Sequence, residues 1–183
     1  MNDIEFQKNF PDGVSVPALL RELLIFQNKS RDWYSGHFEL DSWEFGQSHW
    51  FGGDRAAAEQ FIVIGHGPDG SLYALWLYPG RTAENAPVVF LGSEGTDCGL
   101  IAENLAGFLS LLAIGSDELG FDISWGEIIE ANPPAKRREE FREWLSASFG
   151  ITQPGKPLEA VMEARSNHPD FGAWLAAWQA SCT

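Results

Sequence analysis

The sequence predicts an α+β fold: an antiparallel-rich sheet with helices packed on one face, plus a helical C-terminal extension. Two β-prone runs, residues 61–64 and 72–78, are joined by a Pro-Asp-Gly turn at 68–70, which is typical of a β-hairpin. A third apolar run, residues 87–91, follows without a helical crossover, which favours antiparallel pairing. Amphipathic helices precede and follow these strands, and we expect them to cover the sheet.

The N-terminal part of the chain is predicted to contain one helix and one strand. Residues 1–14 form a leader, and Ser15 can cap a helix in which Pro17 occupies the first turn. Four leucines form a single apolar stripe on this helix: Leu19, Leu20, Leu23 and Leu24. Apolar and acidic residues alternate between residues 38 and 42, which predicts a half-buried strand.

The hairpin between residues 61 and 78 is expected to lie at the centre of the sheet. Its second strand is apolar at both odd and even positions, so both of its faces should be covered. Gly65, Gly67 and Gly70 match the spacing of a dinucleotide-binding loop. Such a loop must open a helix, whereas Pro68 removes a backbone donor and a strand pattern follows. The glycines therefore indicate a hairpin turn rather than a nucleotide site.

The C-terminal half is predicted to be helical. One apolar stripe stops near a glycine at position 115 and comprises Ile101, Leu105, Phe108, Leu109 and Leu112. Residues 116–134 are predicted to be a loop whose last prolines open a second helix, and shorter helices follow a linker at 154–157. We therefore divide the chain into an α+β domain, residues 1–115, and a helical extension, residues 116–183, packed on the same domain.

The charge of the chain argues against a nucleic-acid partner. Its 183 residues carry a net charge of −14, and the basic cluster at 136–138 is followed directly by acidic residues. That arrangement predicts a solvated helix face rather than a phosphate-binding patch. An acidic protein of this kind repels nucleic acid and attracts basic partners.

The sequence also bears on location. No apolar run approaches the roughly 20 residues that a membrane span requires, and residues 1–5 lack the basic and apolar regions of a secretion signal. The two cysteines, Cys98 and Cys182, are far apart in the chain. We expect a cytoplasmic protein with free thiols and no membrane attachment. The oligomeric state stays open.

No motif for catalysis or metal binding is present. The four histidines lack the spacing of a zinc site and are His37, His49, His66 and His168. Cys98 is predicted to lie just before a helix, where the helix dipole would stabilise a thiolate. The alternative is that Cys98 is an inert core residue. We therefore expect a protein that is not an enzyme and that binds no metal and no cofactor.

Taken together, these segments resemble the SUKH superfamily, whose bacterial members are largely immunity proteins and whose fungal branch includes cell-wall regulators of the Smi/Knr type. The resemblance covers about residues 15–115 and depends on order and local pattern. The segments that carry it are Val16-Pro17 before a Leu-rich helix, the aromatic strand Phe38–Phe45, the hairpin Phe61–Tyr78 with its Asp69-Gly70 turn, Pro87–Leu91 and the helix Ile101–Leu112. The resemblance implies an α+β domain that binds proteins and does no chemistry.

The resemblance and the charge together suggest an immunity-type protein that neutralises a basic, nuclease-like toxin domain. The candidate contacts are an acidic-aromatic stretch and three loop acids: Asp41, Trp43, Glu44, Asp117, Glu118 and Asp122. The rings near position 43 can alternatively close one end of the core. A second hypothesis is a regulatory or scaffolding module without a toxin partner, which docks through its C-terminal helices.

Overall fold

The computed structural model describes residues 1–42 and 49–182 and contains a five-stranded antiparallel sheet with its strands in chain order. The strands are β1 Glu39–Leu40, β2 Phe61–His66, β3 Leu72–Trp76, β4 Val88–Leu91 and β5 Gly99–Ala102. The helices of the described residues are α1 Asp3–Gln7, α2 Ala18–Gln27, α3 Arg55–Ala58, α4 Leu105–Leu112, α5 Leu119–Trp125, α6 Arg138–Phe149, α7 Pro157–Asn167 and α8 Phe171–Ser181. The α+β class predicted from the sequence is confirmed.

The predicted hairpin is formed by β2 and β3, with β3 as the central strand. Every residue of β3 is buried, and β3 pairs with β2 on one side and β4 on the other. In the turn, Asp69 Oδ1 accepts a hydrogen bond from the Ser71 backbone N–H at 3.0 Å, and Gly70 adopts a φ of 86°. A side chain at position 70 would strain that backbone, so glycine is required there. The predicted hairpin and the predicted central position of its second strand are both confirmed.

Successive residues of the sheet face two separate hydrophobic cores. On the first face, Tyr73 and Leu75 of β3 pack with buried residues of α1, α2, α4, α5 and α6. On the second face, Leu72, Ala74 and Trp76 pack with α3, α7 and α8. The predicted C-terminal extension thus contributes α5, α6 and Val161 of α7 to the first core, while Ala164 of α7 and the buried residues of α8 pack on the opposite face.

The second core is rich in aromatic residues. Phe171 of α8 stands edge-on to Trp76 with ring centroids 5.1 Å apart, and Trp174 makes the same contact with Phe61 at 5.1 Å. Phe51 stacks on Phe61 at 4.9 Å. Aromatic contacts of this kind add to the gain from burial, so α8 is attached to the sheet through its most apolar residues.

Side chains occupy both edges of the sheet. At β1, Gln27 Nε2 donates to the Leu40 carbonyl at 2.9 Å and Gln27 Oε1 accepts from the Leu40 N–H at 2.8 Å. At β5, Arg165 Nε donates to the Leu100 carbonyl at 2.9 Å. Such contacts satisfy backbone groups that would otherwise offer an edge for pairing with another chain.

Three segments differ from the sequence prediction. The helix predicted to start near Ile101 begins at Leu105 after the N-cap Asn104, and the preceding residues form β5. Its apolar residues continue the helical stripe in sequence, which concealed the strand. The predicted loop 116–134 contains α5, and the predicted leader contains α1, which starts with a capping box between Asn2 and Glu5.

Two predicted helix starts are also displaced. Pro17 is the N-cap residue of α2 and no side chain caps that helix, so the predicted role of Ser15 was wrong. The helix expected to open at the prolines near 133 begins only at Arg138. Bends at residues 132–133 and a turn at residues 136–137 precede it. No described helix is long and apolar enough to cross a membrane.

We expect Phe171→Ala to destabilise the protein by about 3–5 kcal/mol, because it leaves a cavity beside Trp76 in the second core. The measurement is urea unfolding followed by tryptophan fluorescence. Gln179→Ala on the exposed side of the same helix is the control and should change the stability by no more than about 0.5 kcal/mol. Equal stability of both variants and wild type would show that α8 does not depend on this contact.

Candidate partner-binding surface

Helix α5 is fixed at the end of the sheet where the β2–β3 and β4–β5 turns lie. Leu119 and Ile123 insert into the first core. The Gly120 N–H donates to the Tyr73 hydroxyl at 3.2 Å, and the Ser124 hydroxyl donates to Asp97 Oδ1 in the β4–β5 turn at 2.9 Å. The outer side of α5 is thereby held beside the two turns.

This arrangement gathers several carboxylates, which we call the acidic end: Asp69, Asp97, Asp117, Glu118, Asp122 and Glu127. The two turns are linked because the Ser93 hydroxyl donates to Asp69 Oδ2 at 2.8 Å. The pKa of Tyr73 also reflects how close these carboxylates lie to one another. Burial raises the pKa of Tyr73 well above its usual value, the hydrogen bond from Gly120 lowers it, and the negative charges of Asp69, Glu118 and Asp122 raise it further.

Hydroxyl and backbone donors, rather than cations, hold Asp69, Asp97 and Asp122. Asp122 Oδ2 accepts from the Ser116 hydroxyl at 2.6 Å and from the Ile129 N–H at 3.3 Å. For Asp69, burial raises the pKa, but hydrogen bonds from Ser71 and Ser93 outweigh this and leave the pKa below its usual value. Asp69 is thus kept in its charged form.

Within the described ranges 1–42 and 49–182, no Lys or Arg forms an ion pair with a member of the acidic end. Asp117 lies 3.6 Å from His37 Nδ1. By contrast, Glu130, just beyond the acidic end, is paired with Arg138 and Arg142. The basic side chains of this region therefore reach Glu130 but not the acidic end.

Large apolar side chains are exposed next to these charges. Trp125, the last residue of α5, is 70% exposed, and Ile129 is 57% exposed. The Trp125 ring lies against Phe121 with centroids 5.7 Å apart. An exposed tryptophan beside unpaired charges is characteristic of protein interfaces, in which aromatic residues supply much of the binding energy. Sequence reasoning missed Trp125 and Ile129.

One signal in the sequence could have found this surface. No Lys or Arg occurs between Arg81 and Lys136, although this stretch contains every member of the acidic end except Asp69. Apolar residues that sit within such a stretch and outside an amphipathic stripe are candidates for exposure. The combination indicates a surface with anchors and uncompensated charge.

The structure brings together some of the predicted contact residues. Asp117, Glu118 and Asp122 lie together at the start of α5. Asp41 follows β1, where its carboxylate lies 3.2 Å from His66 Nε2 at the border of the β2–β3 turn. The predicted contacts Trp43 and Glu44 lie outside the described residues.

The expected helix-activated position of Cys98 is wrong, because Cys98 precedes β5 rather than a helix. Its thiol donates to the Thr96 carbonyl at 3.3 Å, and burial raises its pKa to about 11. Cys98 shares a recess of about 510 Å³ with Ser124, Arg165 and His168. A nucleophilic cysteine requires a lowered pKa, so this recess lacks the activation that thiol catalysis needs.

His168 has contacts that anchor α7 and α8 to the sheet. Its Nδ1 lies 2.8 Å from the Tyr78 hydroxyl, which also accepts from Arg81 Nε at 2.6 Å, and its Nε2 lies 3.3 Å from Glu103 Oε2. Within the described part of the chain, no cluster of three or more His, Cys, Asp or Glu side chains has an arrangement that could hold a metal ion.

Comparison of the chain with protein-family models, curated proteins and solved structures finds no match. The resemblance to the SUKH superfamily therefore stays a prediction.

We expect Cys182 to react with a thiol reagent near pH 8 and Cys98 to stay unreacted in the native protein. Cys182 is exposed, whereas the raised pKa of Cys98 leaves little thiolate. The measurement is the number of thiols modified before and after denaturation, with Cys182→Ser as the control that should leave no rapidly reacting thiol. Rapid modification of Cys98 in that variant would restore a nucleophilic role.

We expect Asp69→Ala to lower the free energy of unfolding by about 1 kcal/mol at pH 6, since Ser71 and Ser93 lose their acceptor. Because the folded-state pKa of Asp69 is lowered, this contribution is complete above the unfolded pKa and disappears as pH falls through the folded value. Urea unfolding at pH 6 and pH 3 measures it. A loss of the same size at both pH values would contradict the assignment.

Proposed function

We propose that this protein is a non-catalytic binding protein whose acidic end holds a basic protein partner. The observation that carries the proposal is the exposed Trp125 beside carboxylates that no Lys or Arg neutralises within the described residues. Charge complementarity accelerates association and selects the partner, while a desolvated aromatic anchor supplies binding energy.

The partner we propose is a nuclease-like toxin domain, which makes the protein an immunity-type inhibitor. A nuclease is basic where it holds the phosphate backbone. An acidic protein seated on that surface would exclude nucleic acid by occupying the same charges. The resemblance to the SUKH superfamily supports a toxin in particular, and the proposal places the protein in the cytoplasm, where such a toxin would meet its substrate.

A regulatory or scaffolding module that docks through its C-terminal helices is the alternative. The buried faces of α7 and α8 are already used, since Ala164, Phe171 and Leu175 lie in the second core. Docking through these helices would have to use their exposed sides. The acidic end presents the exposed Trp125 and Ile129 beside its carboxylates, which favours it as the binding surface.

The deciding experiment is affinity capture from the native cell at low salt, followed by elution with rising salt and mass spectrometry. We expect a single basic, nuclease-like chain, because screening by salt weakens complementary charges. The captured chain is then purified, and its nuclease activity is measured with and without this protein. Binding without salt dependence, or without inhibition of the nuclease, would overturn the proposal.

We expect Trp125→Ala to weaken binding to the captured partner by at least about 30-fold, the loss typical of an interface anchor. Because Trp125 is 70% exposed, the stability of the free protein should change little. Met162→Ala on α7 is the matched control, since Met162 is 67% exposed and is not a member of the acidic end. Calorimetric titration measures both. Equal effects of the two substitutions would remove Trp125 from the interface.

A further inference from the structure

A recess of about 600 Å³ opens between the C-terminal end of α8 and the β2–β3 and β4–β5 turns. We call it the indole recess, because two half-buried tryptophans line it, Trp50 and Trp178. It borders the acidic end, since its lining residue Ser93 donates to Asp69 Oδ2 at 2.8 Å. Pockets for small ligands measure about 300–1,000 Å³. The indole recess is therefore large enough to take the end of a partner's side chain.

The two indoles are held in position by the protein. The Trp50 Nε1–H donates to the Gly92 carbonyl at 3.0 Å, and the Trp178 Nε1–H donates to Asp54 Oδ2 at 3.0 Å. The two rings stack with centroids 5.9 Å apart, and Phe51 stands edge-on to both. Because both N–H groups are already bound, the indoles offer a ligand π surface rather than hydrogen-bond donors.

The electrostatics of the indole recess favour a cation. Among the described residues that line it, which also include His49, Glu94 is the only one with a carboxylate and none is a Lys or Arg. Glu94 is exposed, and no Lys or Arg of residues 1–42 and 49–182 forms an ion pair with it. Helix α8 ends beside the recess without a basic residue in its last turn, where the helix dipole is negative. The faces of indole rings also attract cations.

Among cationic side chains, arginine fits these groups best. A guanidinium is planar, stacks on aromatic rings and binds a carboxylate through two N–H groups, whereas the ammonium group of lysine is compact and strongly hydrated. A carboxylate or phosphate would meet Glu94 and no Lys or Arg. We propose that the indole recess binds an arginine side chain, and that in the complex this arginine belongs to the basic partner. The second part of this inference rests on the proposed function.

The first test uses Nα-acetyl-arginine amide as the probe and the uncharged Nα-acetyl-citrulline amide as its control, at pH 8 and constant ionic strength. NMR follows the indole N–H resonances of Trp50 and Trp178, assigned with Trp50→Phe and Trp178→Phe. We expect both resonances to shift saturably, with an affinity at least about fivefold higher for the arginine probe, the effect of one cation–π contact. Equal affinities, absent shifts or shifts confined to the indole of Trp125 would overturn the proposal.

The choice of arginine is tested with Nα-acetyl-lysine amide under the same conditions. We expect this probe to bind more weakly than the arginine probe, because an ammonium group gains less from an indole face and cannot bind Glu94 through a planar pair of N–H groups. An equal or higher affinity for the lysine probe would contradict the assignment to arginine.

The second test removes the carboxylate of the indole recess. Glu94→Gln keeps the size of the side chain and, because Glu94 is exposed, should leave the fold intact. We expect it to bind the arginine probe about threefold more weakly, the effect of one exposed ion pair. Glu84→Gln is the matched control, since Glu84 is also exposed and precedes β4 whereas Glu94 follows it. Equal affinities of the two variants would contradict the role of Glu94.

The same two variants separate the indole recess from the proposed function. With the captured partner, Glu94→Gln should weaken binding about threefold and Glu84→Gln should not. If the partner binds both variants equally, the recess lies outside the interface and the second part of the inference is wrong. If capture recovers no basic chain, the proposed function fails, while the NMR titration still decides whether the recess binds arginine.

Discussion

Both faces of the central strand β3 are apolar and must be buried, and the rest of the fold follows from this constraint. Tyr73 and Leu75 face one core while Leu72, Ala74 and Trp76 face the other, and all five are buried. A sheet of this kind must be covered on both sides. Helices α1, α2, α4, α5 and α6 cover one side, and α3, α7 and α8 cover the other. Consequently α7 and α8 belong to the folded unit, even though a Pro- and Gly-containing linker precedes them.

The same packing determines where the positive charges of the chain lie. Arg137 donates to the Phe26 carbonyl at the end of α2, Arg142 to the Ala113 carbonyl at the end of α4, and Arg165 to the edge strand β5. Carbonyls at helix ends lack intrahelical partners, and arginine satisfies them while completing the dipole of the helix. These arginines bind elsewhere in the structure. The charged side chains of the β2–β3 and β4–β5 turns are therefore all carboxylates.

The sequence predicted those elements whose structure depends on residues adjacent in the chain. The hairpin was predictable because its turn chemistry and its continuous apolar run both come from adjacent residues. Helix α5 was not, because no side chain caps it and it is held by contacts distant in sequence. A side chain at Gly120 would lie 2.2 Å from the ring of Phe90, so that close approach defines the position of the helix. For the same reason charge alone identified Asp117, Glu118 and Asp122, whereas the exposure of Trp125 beside them depends on how α5 packs.

A salt bridge both holds a carboxylate in place and cancels its charge, whereas the hydrogen bonds in the acidic end only hold it in place. A lysine beside Asp97 or Asp122 would fix the carboxylate and also cancel its charge. Ser124 and Ser116 fix these carboxylates through hydroxyl donors and leave the charge intact. Like charges held close together repel one another and reduce stability, so the arrangement has a cost that packing alone does not explain. Carboxylates already held in place lose less conformational freedom when a cation reaches them, and binding of a basic partner would relieve the repulsion.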